Sequence, residues 1–114
     1  MVKLDAIPDD STGTALKQYA SQGSDLDRPM LIDFFAAVPS QEAGVKLSKA
    51  LEGTELTTSI EYDKEAGEWT CYCSVRMIPR YEDVVKMEEL IEAKAKLFGG
   101  NADGFGSYGN ADLT

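Results

Sequence analysis

A chain of 114 residues with 43% hydrophobic and 27% charged content has the composition of one folded domain, large enough to need neither a metal nor a disulfide to hold it together. Twenty acidic residues against eleven basic ones leave a net charge of -9, the wrong sign for a direct contact with RNA or DNA and the right one for a basic protein partner or for plain solubility. Histidine is absent altogether, which removes the usual general base and the commonest metal ligand, and no apolar run approaches the ~20 residues of a membrane span.

The opening, Met1 to Asp10, lacks the basic and apolar regions of a signal peptide, so a cytoplasmic protein is expected. Asp9, Asp10, Ser11 and Thr12 offer helix caps, and Ala15, Leu16, Tyr19 and Ala20 then recur at helical spacing until Gly23, which predicts a short first helix over about 10–22. A polar turn from Ser24 to Pro29 leads into a first strand, Met30 to Val38, closed by Pro39. Ser40 caps a second helix with the stripe Ala43, Leu47, Ala50 and Leu51, stopped by Gly53. Leu56, Thr58, Ile60 and Tyr62 alternate with polar residues, the period of a strand with one wet face.

Asp63 to Gly67 supplies a hairpin turn into a third strand whose inward positions are Trp69, Cys71, Cys73, Val75 and Met77. A long helix follows, Tyr81 to Phe98, with Val84, Met87, Ile91, Ala95 and Phe98 as its buried stripe and Leu90 and Leu97 widening it. The chain then alternates glycine through Asp103, Gly104, Phe105, Gly106, Ser107, Tyr108 and Gly109, and reads as a last strand whose glycines admit close approach of a neighbouring backbone. Asn110 to Thr114 reads as a frayed end. This order predicts an α+β fold, a ferredoxin-like α/β sandwich: βαββαβ with an extra N-terminal helix and an antiparallel sheet in the order 4-1-3-2, in a single domain over 1–114 whose core runs from about 24 to 109.

Chemistry-bearing patterns are few. Cys71 and Cys73, one residue apart on a strand, point to the same face and read as small core filler, not as a redox pair or a zinc site. Asp25 and Asp27 suit turns better than a calcium loop. Gly104, Gly106 and Gly109 follow a helix instead of opening one, so no phosphate cradle is indicated, and strand aromatics such as Trp69 and Tyr72 lack the basic surroundings of an RNA-stacking sheet. No catalytic residue, metal site or cofactor is expected.

Three landmarks resemble the RraB family, regulators of ribonuclease activity: Gly23, Ser24 and Asp25 before the first strand, the Gly67 hairpin into the cysteine-bearing third strand, and Phe98 followed by Asp103, Gly104, Phe105 and Gly106. The resemblance runs from about Gly23 to Tyr108. It implies a ferredoxin-like sandwich in a cytoplasmic bacterial protein that binds ribonuclease E and restrains RNA degradation as a protein inhibitor, with Asp25, Asp27, Asp103, Gly104, Phe105, Gly106 and Tyr108 as marker or interaction residues. Phe105 stands where the family usually carries tryptophan, and the long acidic tail that often follows in the family is not among these residues. Two other readings stay open: a ligand-binding or enzymatic domain with a cleft where Asp25, Asp27, Asp103 and Tyr108 meet, and an acidic immunity protein for a basic toxin. The edge strands, the second and fourth, also leave room for a homodimer.

Overall fold

The computed structural model describes residues 6–110. In chain order the elements are α1 (Ser11–Ser21), β1 (Met30–Val38), α2 (Gln41–Ala50), β2 (Thr57–Asp63), β3 (Glu68–Met77), α3 (Tyr81–Lys96) and β4 (Asn101–Gly106). The strands form one sheet in the order β2-β3-β1-β4, with every neighbouring pair antiparallel, so an N-terminal helix precedes the βαββαβ arrangement the sequence predicts.

Local chemistry sets each boundary. Asp10 caps α1 by accepting from the Gly13 N–H at 2.8 Å, and Ser40 caps α2 by accepting from the Ala43 N–H at 3.1 Å, each satisfying a donor that the first helical turn leaves unpaired. Asp63 accepts from the backbone N–H of Glu65 at 2.9 Å, which folds the hairpin between β2 and β3. β1 alternates cleanly: Met30, Ile32, Phe34, Ala36 and Val38 are buried, while the residues between them are half-buried or exposed. That period of two puts one face of the sheet against the helices, where Leu16, Leu47, Leu51, Val84, Ile91 and Ala95 complete the core.

Cys71 and Cys73 are both fully buried on the core face of β3, with their sulfurs 3.9 Å apart in a weak hydrogen bond and no disulfide between them, as core filler requires. The hydrogen bond with Cys71, reinforced by burial, pushes the Cys73 thiol up from its ordinary value. Along α3, Val84, Ile91 and Ala95 are buried and Met87 and Phe98 pack against them. The helix ends two residues before Phe98, and Leu97 is 70% exposed, so it does not widen the stripe. On β2 the inward face is weaker than its alternation suggests: Ile60 packs on the core but Tyr62 is 49% exposed, on a strand that lies at the sheet edge.

The C-terminal strand departs most from expectation. It occupies Asn101–Gly106, so it starts two residues before the glycine run and leaves Ser107, Tyr108 and Gly109 outside the strand. Phe34 stands opposite Phe105 and Ala36 opposite Ala102, so two steps on β1 match three on β4 and one extra residue is accommodated at Asp103 and Gly104. Gly104 has φ +95° with open space where a side chain would stand; it is a bulge residue, not a point of close approach. Close approach of a neighbouring backbone occurs at Gly100, where a Cβ would run into the Ala37 carbonyl oxygen, while within the run Gly106 and Gly109 are approached closely by side chains, the Phe35 ring and Ser24 Oγ.

Asn110 is not frayed. It is only 6% exposed, and its side chain holds the loop between α1 and β1. Its Oδ1 accepts from the Asp25 N–H at 2.7 Å, while its Nδ2 donates towards the carbonyls of Asp25 (2.9 Å), Arg28 (3.2 Å) and Pro29 (3.3 Å). Ser24 Oγ accepts from the Asn110 N–H at 3.2 Å, and Ser107 Oγ donates to the Leu31 carbonyl at 2.6 Å. The predicted fraying of 111–114 lies outside the described residues.

Candidate functional site

The residues singled out by the sequence sit in the loop before β1 and along β4 and the segment after it, without forming a shared cavity. Asp25 is a turn residue: its Oδ1 accepts from the Asp27 N–H at 2.9 Å and its backbone is held by Asn110. Asp27 lies exposed in the same loop. Asp103 and Gly104 form the bulge of β4, and Phe105 anchors that strand, its ring centroid 5.7 Å from that of Phe34 and 6.5 Å from that of Tyr19. Gly106 pairs with Asp33 and lies beneath the Phe35 ring, while the Tyr108 side chain stands fully in solvent. Asp25, Asp27, Asp103 and Tyr108 line neither the groove where α1, α3 and β4 meet, nor the one beside Met77 and Met87, nor the one at the Trp69 hairpin.

The largest of these grooves, about 600 Å³, runs where α1, α3 and β4 meet. One side is α3, which presents Tyr81, Val85, Glu88, Glu92 and Lys96 at intervals of one turn. Glu89 and Ala93 flank that row, Asp10 to Thr12 close one end, and Ala102 and Gly104 of β4 form the opposite wall. The charge is one-sided: among the lining residues Asp10, Glu88, Glu89 and Glu92 face a single cation, Lys96. The apolar or small part of the lining comes from Val85, Ala93 and Ala102.

Two of these carboxylates are held in place by the fold. Thr12 Oγ1 donates to Glu88 Oε1 at 2.6 Å, and the Ala102 N–H donates to Glu92 Oε1 at 3.4 Å. The Tyr81 hydroxyl donates to Asp10 Oδ2, joining α1 to α3 at the end of the groove. That bond, with the one from the Gly13 N–H, holds the Asp10 carboxyl below the usual carboxylate range, and the same contact raises the Tyr81 hydroxyl. Overall acidity is plain from composition, but this concentration of it is not. The signal present in the sequence is Glu88, Glu89 and Glu92 at i, i+1 and i+4, a pattern equally typical of any solvated helix face.

On the other flank of α3 a second groove of about 440 Å³ has apolar walls, Met77, Ile78, Met87 and Leu90, and a mixed rim of Glu55, Arg80, Asp83 and Lys86. A third, of about 270 Å³, lies by the hairpin at Trp69. Among the described residues no group of three histidine, cysteine, aspartate or glutamate side chains could hold a metal ion, and no buried side-chain polar atom lacks a partner. No helix among the described residues is long and apolar enough to cross a membrane.

A histidine-free α+β sandwich with a groove lined by four carboxylates, two of them hydrogen-bonded to neighbouring elements, presents a surface suited to cationic groups. Residues 9–107 match the model of RraB, regulator of ribonuclease activity B, and the chain belongs to that family. The match extends into α1, beyond the region where the sequence landmarks lie. No curated protein matches the chain.

Proposed function

We propose that this protein is a non-catalytic regulator that binds ribonuclease E and restrains RNA degradation, touching the enzyme and not the RNA. The observation that carries the reading is the family match over residues 9–107. The chemistry of the chain supports it: a net charge of -9 disfavours a phosphate backbone and favours a basic protein segment, and histidine-dependent catalysis is unavailable to a chain with no histidine. Purified protein is expected to retain ribonuclease E at ~50 mM salt, to lose it progressively as ionic strength rises and shortens the Debye length, and to slow cleavage of a single-stranded RNA at low salt. No retention at the lowest salt overturns the reading.

A second reading, a small-ligand domain, draws its support from the groove beside Met77 and Met87, whose volume and apolar walls suit a drug-sized molecule. A thermal-shift screen of metabolites separates the two readings, since a ligand present at about 100 times its dissociation constant adds about 2.7 kcal/mol of stability.

A further inference from the structure

We propose that the groove between α1, α3 and β4 is a docking site for a basic amphipathic helix, about four turns long, supplied by a protein partner. That the helix belongs to ribonuclease E rests on the regulator reading above; the fit between helix and groove does not.

Three observations lead to this occupant. First, the groove follows a helix along its whole length: from Tyr81 to Lys96, fifteen steps at 1.5 Å each span about 22 Å. Residues recurring once per turn make a ridge and furrow into which the side-chain rows of a second helix interdigitate. Second, the charges are set for a cation row. Glu88 and Glu92 are i,i+4 neighbours of like sign on α3, which weakens an isolated helix, and among the described residues neither forms an ion pair. Each is anchored through Oε1, to Thr12 and to the Ala102 N–H, so the second oxygen is left for a ligand with little further loss of side-chain freedom. Arginines or lysines one turn apart on an incoming helix meet them, while small or aliphatic residues beside those cations cover Val85, Ala93 and Ala102.

Third, the neighbouring strand is blunted against the competing mode, strand addition. The bulge at Asp103 and Gly104 breaks the regular edge of β4, and Glu92 occupies the N–H of Ala102. An extended peptide therefore finds no continuous ladder there, whereas a helix brings its own backbone hydrogen bonds and needs none. A nucleic acid is disfavoured by the same carboxylates.

The test uses a fluorescent peptide of about 16 residues built from Ala, Leu and Arg with arginines along one helical face, a counterpart with glutamate for arginine, and a third carrying two central prolines. The full protein, its Glu88→Gln/Glu89→Lys variant and a Lys86→Glu control on the opposite flank of α3 are titrated at low salt, and each is also used to retain ribonuclease E. Glu89 is exposed, and Glu88→Gln keeps a side-chain acceptor for Thr12; Glu89→Lys alone guards against a folding defect. The arginine peptide is expected to bind the unaltered protein at least about tenfold tighter than the other two peptides, with a similar loss in the groove variant and little change in the control. Equal binding of the proline peptide, or by the groove variant, overturns the helix-docking proposal. If ribonuclease E is retained equally by the groove variant, the regulator reading stands and the groove is not its contact. If no form retains ribonuclease E while the peptides behave as expected, the docking groove stands and the regulator reading falls.

Discussion

Replacing Asn110 by alanine removes the polar clasp between the segment after β4 and the loop before β1. The amide has one acceptor in use and two protons shared among three carbonyls, so three hydrogen bonds are lost, and at about 1 kcal/mol net for each the ceiling is about 3 kcal/mol. Arg28 and Pro29 are exposed, and water reaching their carbonyls returns some of this, leaving about 2 kcal/mol. For a domain of this size that corresponds to a fall in Tm of about 6–10 °C. Differential scanning calorimetry or denaturant titration followed by circular dichroism reads it directly. Asn110→Asp is the sharper variant: it keeps an acceptor for the Asp25 N–H but turns an anionic oxygen towards three carbonyls in a site only 6% exposed. It is expected to be less stable than the alanine variant at neutral pH and to recover as the carboxyl protonates at low pH. A Tm for Asn110→Ala within about 1 °C of the unaltered protein refutes the reasoning, because the clasp then contributes no net stability.

Phe105→Ala removes the ring that meets Phe34 and Tyr19 and is expected to cost about 2–3 kcal/mol, less than a fully buried phenylalanine because Phe105 is only partly covered; chemical denaturation measures it. Gly104→Ala forces a side chain into φ +95° but meets no neighbour, so a loss of about 1–2 kcal/mol from backbone strain alone is expected, while Gly100→Ala, blocked by the Ala37 carbonyl, disturbs the pairing of β1 with β4 and is the more damaging of the two in amide hydrogen exchange. Cys71 and Cys73 are expected to resist a thiol reagent in the native protein and to react together only on unfolding; rapid labelling of either in the folded state contradicts their burial. Because the folded pKa of Asp10 lies below its unfolded value, its contribution is present above the unfolded carboxylate range and is lost as pH falls through the folded value, so the difference in Tm between the unaltered protein and Asp10→Ala should narrow below about pH 4.

Much of the fold was legible because its elements obey one period each. The alternation in β1 and β3 and the stripe Val84, Ile91 and Ala95 in α3 depend on which residues face the core, and the sheet order follows from how such elements connect. The errors arise where a residue's role depends on something distant in sequence. Leu97 is apolar and at a compatible position, yet the helix ends before it and leaves it in water. Gly104 and Gly100 look alike as letters, but register with β1 makes one a bulge and the other a close approach. Asn110 has no local pattern at all; its meaning is the loop from Asp25 to Pro29, roughly eighty residues earlier. The groove was illegible for a related reason: Glu88 and Glu92 are ordinary on a wet helix until Thr12 and Ala102 arrive beside them.

The lateness of β4 and Asn110 in the chain also bears on synthesis. β1 is central in the sheet, with β4 on one side, so a nascent chain that has already paired β1 with β3 still shows an open edge, and Phe34 lacks its ring contact until Phe105 emerges. The loop at Asp25 then waits for Asn110. The sheet and this loop are therefore completed only once β4 and Asn110 are made, and a ribosome stalled before that point holds a sheet with one open edge, the state a chaperone would engage.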